Sequence, residues 1–165
     1  MPHWYDRNGL RFAYPENWRL DERDEPGEPL DITLDTPGGG VWSLQAIPSG
    51  LSPAEAVQQV LVGVEAEFMD VEKEGATLEL PGMLWLGLEI RFFCFDYLVE
   101  GRIWGCRAPD RTLVCHYQAE QAEFDKQEMV FQAILASLFA GADPGAAAKG
   151  PEPEEPDDDD AFQVL

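Results

Sequence analysis

The sequence predicts an α+β domain, an α/β/α sandwich whose mainly antiparallel sheet is covered by a helix on each face. Three observations carry this. Short strand-like runs are joined by brief Gly- and Pro-containing turns, so sequential strands pair as hairpins and not through crossovers. Residues 84–99 are apolar on both faces, as a central strand covered from two sides would be. Two amphipathic helical stripes, one in mid-chain and one over residues 121–140, are available as the covers. The chain has 165 residues, 45% of them hydrophobic, which suffices for one domain with a sizeable core. The domain is expected over residues 1–141 and an acidic, disordered tail over residues 142–165.

The elements follow in order. In Gly9-Leu10-Arg11-Phe12-Ala13-Tyr14-Pro15, Phe12 and Tyr14 alternate as on a strand, and Pro15 ends it because it lacks an N–H. Glu16-Asn17 turns the chain, and residues 18–20 are extended again, with Trp18 available to plug a core. Residues 21–29 are acidic, contain Pro26-Gly27, and read as a loop. Residues 30–35 alternate apolar and polar, residues 36–40 (Thr-Pro-Gly-Gly-Gly) turn, and residues 41–47 return as the hairpin partner. Ser52, Pro53 and Glu55 form a helix start with a capping box, and Val57, Val60, Leu61, Val64 and Phe68 share one stripe. That helix should end near Met69. Residues 71–80 read as a strand, either continuous or interrupted at Gly75, and Pro81-Gly82 turns. Residues 84–99 form the central strand, Glu100-Gly101 a hairpin turn, and residues 102–107 and 112–119 two further strands. The second helix carries Phe124, Phe131, Leu135 and Leu138 on its core stripe, Ile134 at the margin, and Gly141 as its stop.

Charge narrows the partners. The formal net charge is −21. Residues 149–165 hold seven acids against one base, which leaves −15 on residues 1–148. Such a surface repels nucleic acid and anionic membranes and favours a basic protein partner, or serves solubility alone. The apolar run of residues 83–99 is interrupted by Glu89, Arg91 and Asp96, so no membrane insertion is expected. Cys94, Cys106 and Cys115 are an odd set without framework spacing, which suits free thiols and a reducing, cytoplasmic setting. No secretory signal is read in the first residues, which leads to the same expectation.

The Phe-x-Tyr-Pro-x-x-Trp cassette (Phe12, Tyr14, Pro15, Trp18), the element order, and the closing Ile134-Leu135-Ala136-Ser137-Leu138 resemble the PsbP-like superfamily over roughly residues 9–139. That superfamily includes the photosystem II extrinsic protein PsbP, a nucleotide-release factor for the Ran GTPase, and bacterial chaperones of type VI secretion effectors. The resemblance implies an α/β/α sandwich and protein binding in place of catalysis. It transfers no functional residue, because the matching positions are core positions.

Chemistry-bearing motifs are sparse. Cys115-His116 would point to opposite faces of a strand and cannot act as a nucleophile–base pair. No Cys-x-x-Cys or His-x-x-x-His spacing suggests zinc. Gly38-Gly39-Gly40 lacks the Lys-Ser/Thr ending of a phosphate loop, and Asp157, Asp158, Asp159 and Asp160 lack the alternation of a calcium loop. Neither a cofactor nor a catalytic or metal residue is expected. Two features point to partner binding. The acidic run Asp157 to Asp160 is followed by Phe162, Val164 and Leu165, as in a short linear motif for a basic-rimmed groove. The back of the second helix presents Met129, Ala133, Ala136 and Ala140, a strip that admits close approach by a partner or by a second copy in a homodimer. The expected function is a non-enzymatic protein-binding adaptor or chaperone. An enzyme with a carboxylate-lined pocket and an acidic mimic or sink for basic proteins are the alternatives.

Overall fold

The structure is a computed structural model and describes residues 1–48 and 50–140. It opens with strands Pro2–Arg7 (β1) and Leu10–Pro15 (β2), followed by Arg19–Arg23 (β3), Leu30–Asp35 (β4) and Val41–Pro48 (β5). Helix Pro53–Glu67 (α1) leads to Glu72–Leu80 (β6), Met83–Cys94 (β7), Tyr97–Ala108 (β8) and Arg111–Glu120 (β9), and helix Gln121–Ala140 (α2) closes the described chain. Seven strands form one sheet in the order β3-β4-β5-β9-β8-β7-β6, and β1 with β2 forms a separate hairpin. All the pairings among the described residues are antiparallel; short connections require this of the sequential strands, and β9 meets β5 in the same sense across the middle of the sheet.

The local signals act as elementary chemistry says they should. Ser52 Oγ accepts from the Glu55 N–H at 3.1 Å, and the Ser52 N–H donates to Glu55 Oε1 at 2.9 Å, so the capping box closes in both directions. Those hydrogen bonds hold the Glu55 carboxyl below its usual range. Ala56, Val57, Leu61 and Val64 are buried with Leu88, Ile90, Phe92, Ile103 and Val114 in one core cluster. A second cluster gathers Trp42, Leu44, Trp104, Cys115 and Tyr117 of the sheet with Phe12, Trp18 and, from α2, Phe124, Phe131, Ile134 and Leu135. Tyr117 stacks on Phe131 at 4.8 Å, and its hydroxyl accepts the Trp104 indole N–H at 2.9 Å.

Four departures from the sequence reading have physical causes. First, residues 2–7 are a strand. Asn8 and Gly9 both have positive φ, 57° and 76°, the requirement of a type I′ hairpin turn. Tyr5 alone of β1 faces inward, stacked on Phe12 at 4.9 Å, so no alternation marks the strand. Second, residues 84–99 are two strands, with Cys94 paired to Tyr97 across a two-residue turn at Phe95-Asp96. Third, Glu100-Gly101 lies inside β8, where a Cβ on Gly101 would stand 3.0 Å from Ile90 and 3.2 Å from Gln118. That glycine answers crowding between strands. Fourth, β3 continues to Arg23. Of the two readings of β6, the continuous one holds, since the strand runs through Gly75 unbroken.

Candidate functional site

The N-terminal hairpin lies against α2, so the helix has neighbours on two sides. The Ala13 N–H donates to Ser137 Oγ at 2.9 Å, and that hydroxyl donates to the Ile134 carbonyl at 2.7 Å. This explains why Ile134, a marginal position for a helix covered on one side, is buried. Where the hairpin's open end leaves the helix, a groove of about 490 Å³ remains. Tyr14, Pro15 and Pro2 form one wall, and Val130, Ala133 and Ile134 the other. Glu16 is the one carboxylate among the lining residues.

The helix strip expected to meet a partner is divided by this arrangement. Ala133 is exposed and sits in the groove. Met129, one turn earlier, is 82% exposed. Ala136 is half-buried, and Ala140 is the last residue of α2. Asp157, Asp158, Asp159, Asp160, Phe162, Val164 and Leu165 lie outside the described residues, as does the whole segment 142–165. The sequence reading missed the hairpin wall: Tyr14 and Pro15 were expected only to shape the fold, and the Asn8-Gly9 turn was the available signal.

A charged network ties α2 to the sheet. Glu100, 7% exposed, accepts from Arg91 Nε at 2.9 Å and from Arg102 at 2.8 Å. Arg102 also reaches Glu128 of α2 at 3.4 Å and lies over the Phe124 ring at 4.7 Å. Each charge has an opposite partner and the cluster joins β7, β8 and α2, so it reads as a structural clamp.

Cys115 and His116 are separated as strand geometry requires. Cys115 is in the α2 cluster, where burial pushes its thiol up, away from the reactive thiolate. His116 Nε2 is 2.8 Å from Gln118 Oε1. Burial lowers the His116 pKa to about 4, against the smaller raising effect of that hydrogen bond. Cys94 is half-buried and Cys106 buried, and neither is joined in a disulfide among the described residues. A second surface was not foreseen. Phe93, Phe95 and Tyr97 are exposed at the β7–β8 tip, with exposed Met69 after α1. The run Phe92-Phe93-Cys94-Phe95 gave no sign of it, because aromatic residues are ordinary in strands.

Neither the protein-family models nor the curated proteins contain a match to this chain. Solved structures do. The chain is similar to cyanobacterial PsbP (CyanoP) from Synechocystis, with a TM-score of 0.54 and 15% identity over 82% of this chain and 90% of that one. It is also similar to a Bacteroides thetaiotaomicron protein, TM-score 0.51 and 13% identity, over 81% of this chain and 46% of that one. A protein of unknown function from Pseudomonas aeruginosa aligns over 83% of this chain and 95% of its own length, at TM-score 0.48 and 13% identity. With the strand order and two helices described above, the similarity to CyanoP shows that the chain has a PsbP-like fold.

Proposed function

We propose that this protein is a non-enzymatic adaptor or chaperone that holds a partner polypeptide in the groove between its N-terminal hairpin and α2. Its scaffold is an α/β/α sandwich with α1 and α2 over opposite faces of the sheet. In support, Val114 packs with α1 while its neighbours Leu113 and Cys115 belong to the cluster of α2.

The observation that carries the function is the groove itself. Its walls are mainly apolar, the exposed Ala133 lets a chain approach closely, and exposed Met129, one turn earlier on the helix, can adapt to varied side chains. Acid–base catalysis by a carboxylate pair needs two such groups facing one substrate, and among the described residues that line the groove Glu16 is the single carboxylate. The charge of −21 favours partners with basic flanks. A cytoplasmic adaptor accords with buried cysteines that stand in no disulfide among the described residues.

Ala133→Glu tests this, because it places a charge in the groove without touching the core. Tagged wild-type chain incubated with lysate of its source organism should retain a defined partner at 0.5 M NaCl. Folded Ala133→Glu should recover at least tenfold less of it. Equal recovery by the variant, or loss of everything from the wild type in moderate salt, would contradict the proposal and favour a non-specific acidic sink.

A further inference from the structure

The β7–β8 hairpin ends in an arrangement that does nothing for the fold. Cys94 pairs with Tyr97 and Phe93 with Leu98, so Phe93 and Tyr97 project from opposite faces of the finger. Phe95 stands at the apex, 94% exposed, and both flanking rings are more exposed than buried. Its φ is 56°, the left-handed region that a two-residue turn ordinarily gives to Gly, Asn or Asp. A bulky aromatic here is unfavourable twice, through its backbone and through its contact with water. Met69 adds a further exposed apolar side chain. It follows Phe68, whose ring stacks on Phe92 at 4.3 Å near the base of the finger.

The surrounding charge selects the occupant. Asp96 shares the turn with Phe95, Asp70 adjoins Met69, and Glu72 lies opposite Arg91 on the neighbouring strand. The two cations nearest in register, Lys73 and Arg91, are in ion pairs with Glu65 and Glu100. An aromatic wedge with an acidic collar complements an apolar cleft or helix face rimmed by Lys and Arg.

We propose that the Phe93–Phe95–Tyr97 finger is a second docking surface, separate from the α2 groove, for a basic amphipathic polypeptide. A partner's apolar stripe packs over the Phe95 apex and one flanking ring, while the collar meets the basic flanks. Exposed aromatic anchors are the residue type that dominates binding energy at such contacts.

The test uses the full chain and a dye-labelled helical peptide of Lys and Leu, with a Lys-only peptide of equal charge as control. Wild type should bind the Lys/Leu peptide in 0.5 M NaCl, where the Lys-only peptide is released. Phe95→Asn should weaken that binding at least tenfold. Its melting temperature should hold or rise, since Asn tolerates the left-handed turn, and this separates lost binding from lost fold. Ala133→Glu should bind the peptide as wild type does, whatever the fate of the groove proposal. Binding by Phe95→Asn equal to wild type would overturn the inference, as would equal losses in both variants or no wild-type binding at 0.5 M NaCl. Flotation of the wild type with phosphatidylcholine vesicles, without peptide binding, would overturn it in favour of a lipid surface.

Discussion

Trp18 shows how one side chain holds α2 to the sheet's edge. It is 5% exposed and meets the Phe131 ring edge-on at 5.6 Å. Trp18→Ala should therefore cost about 3–5 kcal/mol, the usual penalty for an emptied aromatic site. A urea midpoint like the wild type's would show that Trp18 is not an anchor. Glu100 and Arg102 make a contrasting pair. Removing Arg102 leaves buried Glu100 with Arg91 alone and deprives Glu128 of its cation, so Arg102→Met should destabilise by about 1–3 kcal/mol. The double variant Arg102→Met, Glu100→Gln should recover much of that loss, and a double variant no better than the single one would contradict the clamp. His116 carries a pH prediction. Its pKa falls from 6.5 to about 4 on folding. Above pH 6.5 the ring is neutral in both states and contributes no pH dependence. Between about 6.5 and 4 the unfolded chain takes up the proton first, so stability falls with falling pH, by up to about 1.4 kcal/mol per unit. Wild type should lose more stability than His116→Gln between pH 7 and pH 4.5, and parallel curves would refute the shift.

Among the elements, α2 and the N-terminal hairpin depend on each other through Ser137. Ser137→Ala leaves the Ala13 N–H without its acceptor and should cost about 1 kcal/mol. Faster hydrogen exchange at Ala13 should report it, and unchanged exchange would mean that the contact is dispensable. The pairing of these elements was only half legible in the sequence. The capping box at Ser52 and the Phe124/Phe131/Leu135 stripe were readable, because helix starts and faces are local patterns. The strand at residues 2–7 was not, since one inward side chain, Tyr5, leaves no alternation to detect. The central hairpin was misplaced for a related reason. Phe95 gives no turn signal, whereas Glu100-Gly101 gives one inside a strand, because Gly101 serves a crowded sheet position. The groove inherits this blindness: Ala133 was legible as a bare helix surface, but its opposite wall belongs to the unforeseen hairpin.

At the scale of the whole molecule, seven antiparallel strands among the described residues bury two separate clusters, and the exposed side chains of the candidate docking surfaces, Ala133 in the groove and Phe93, Phe95 and Tyr97 at the finger, lie outside them. Binding and stability should therefore separate. Substitutions in the groove should change partner capture and leave the melting temperature nearly unmoved, whereas Trp18 and Arg102 should do the reverse. On the proposed function, a net charge of −21 would steer basic partners toward the molecule, and apolar contact would set what remains bound in salt. The central claim is that a polypeptide occupies the groove between the hairpin and α2. Site-specific photo-crosslinking in the living source cell measures this directly, with benzoylphenylalanine at position 133 and, as control, at the exposed position 62 of α1. Position 133 should yield a discrete crosslinked partner that position 62 does not, and Tyr14→Glu on the facing wall should abolish it. A silent position 133, or the same products from both positions, would contradict the claim.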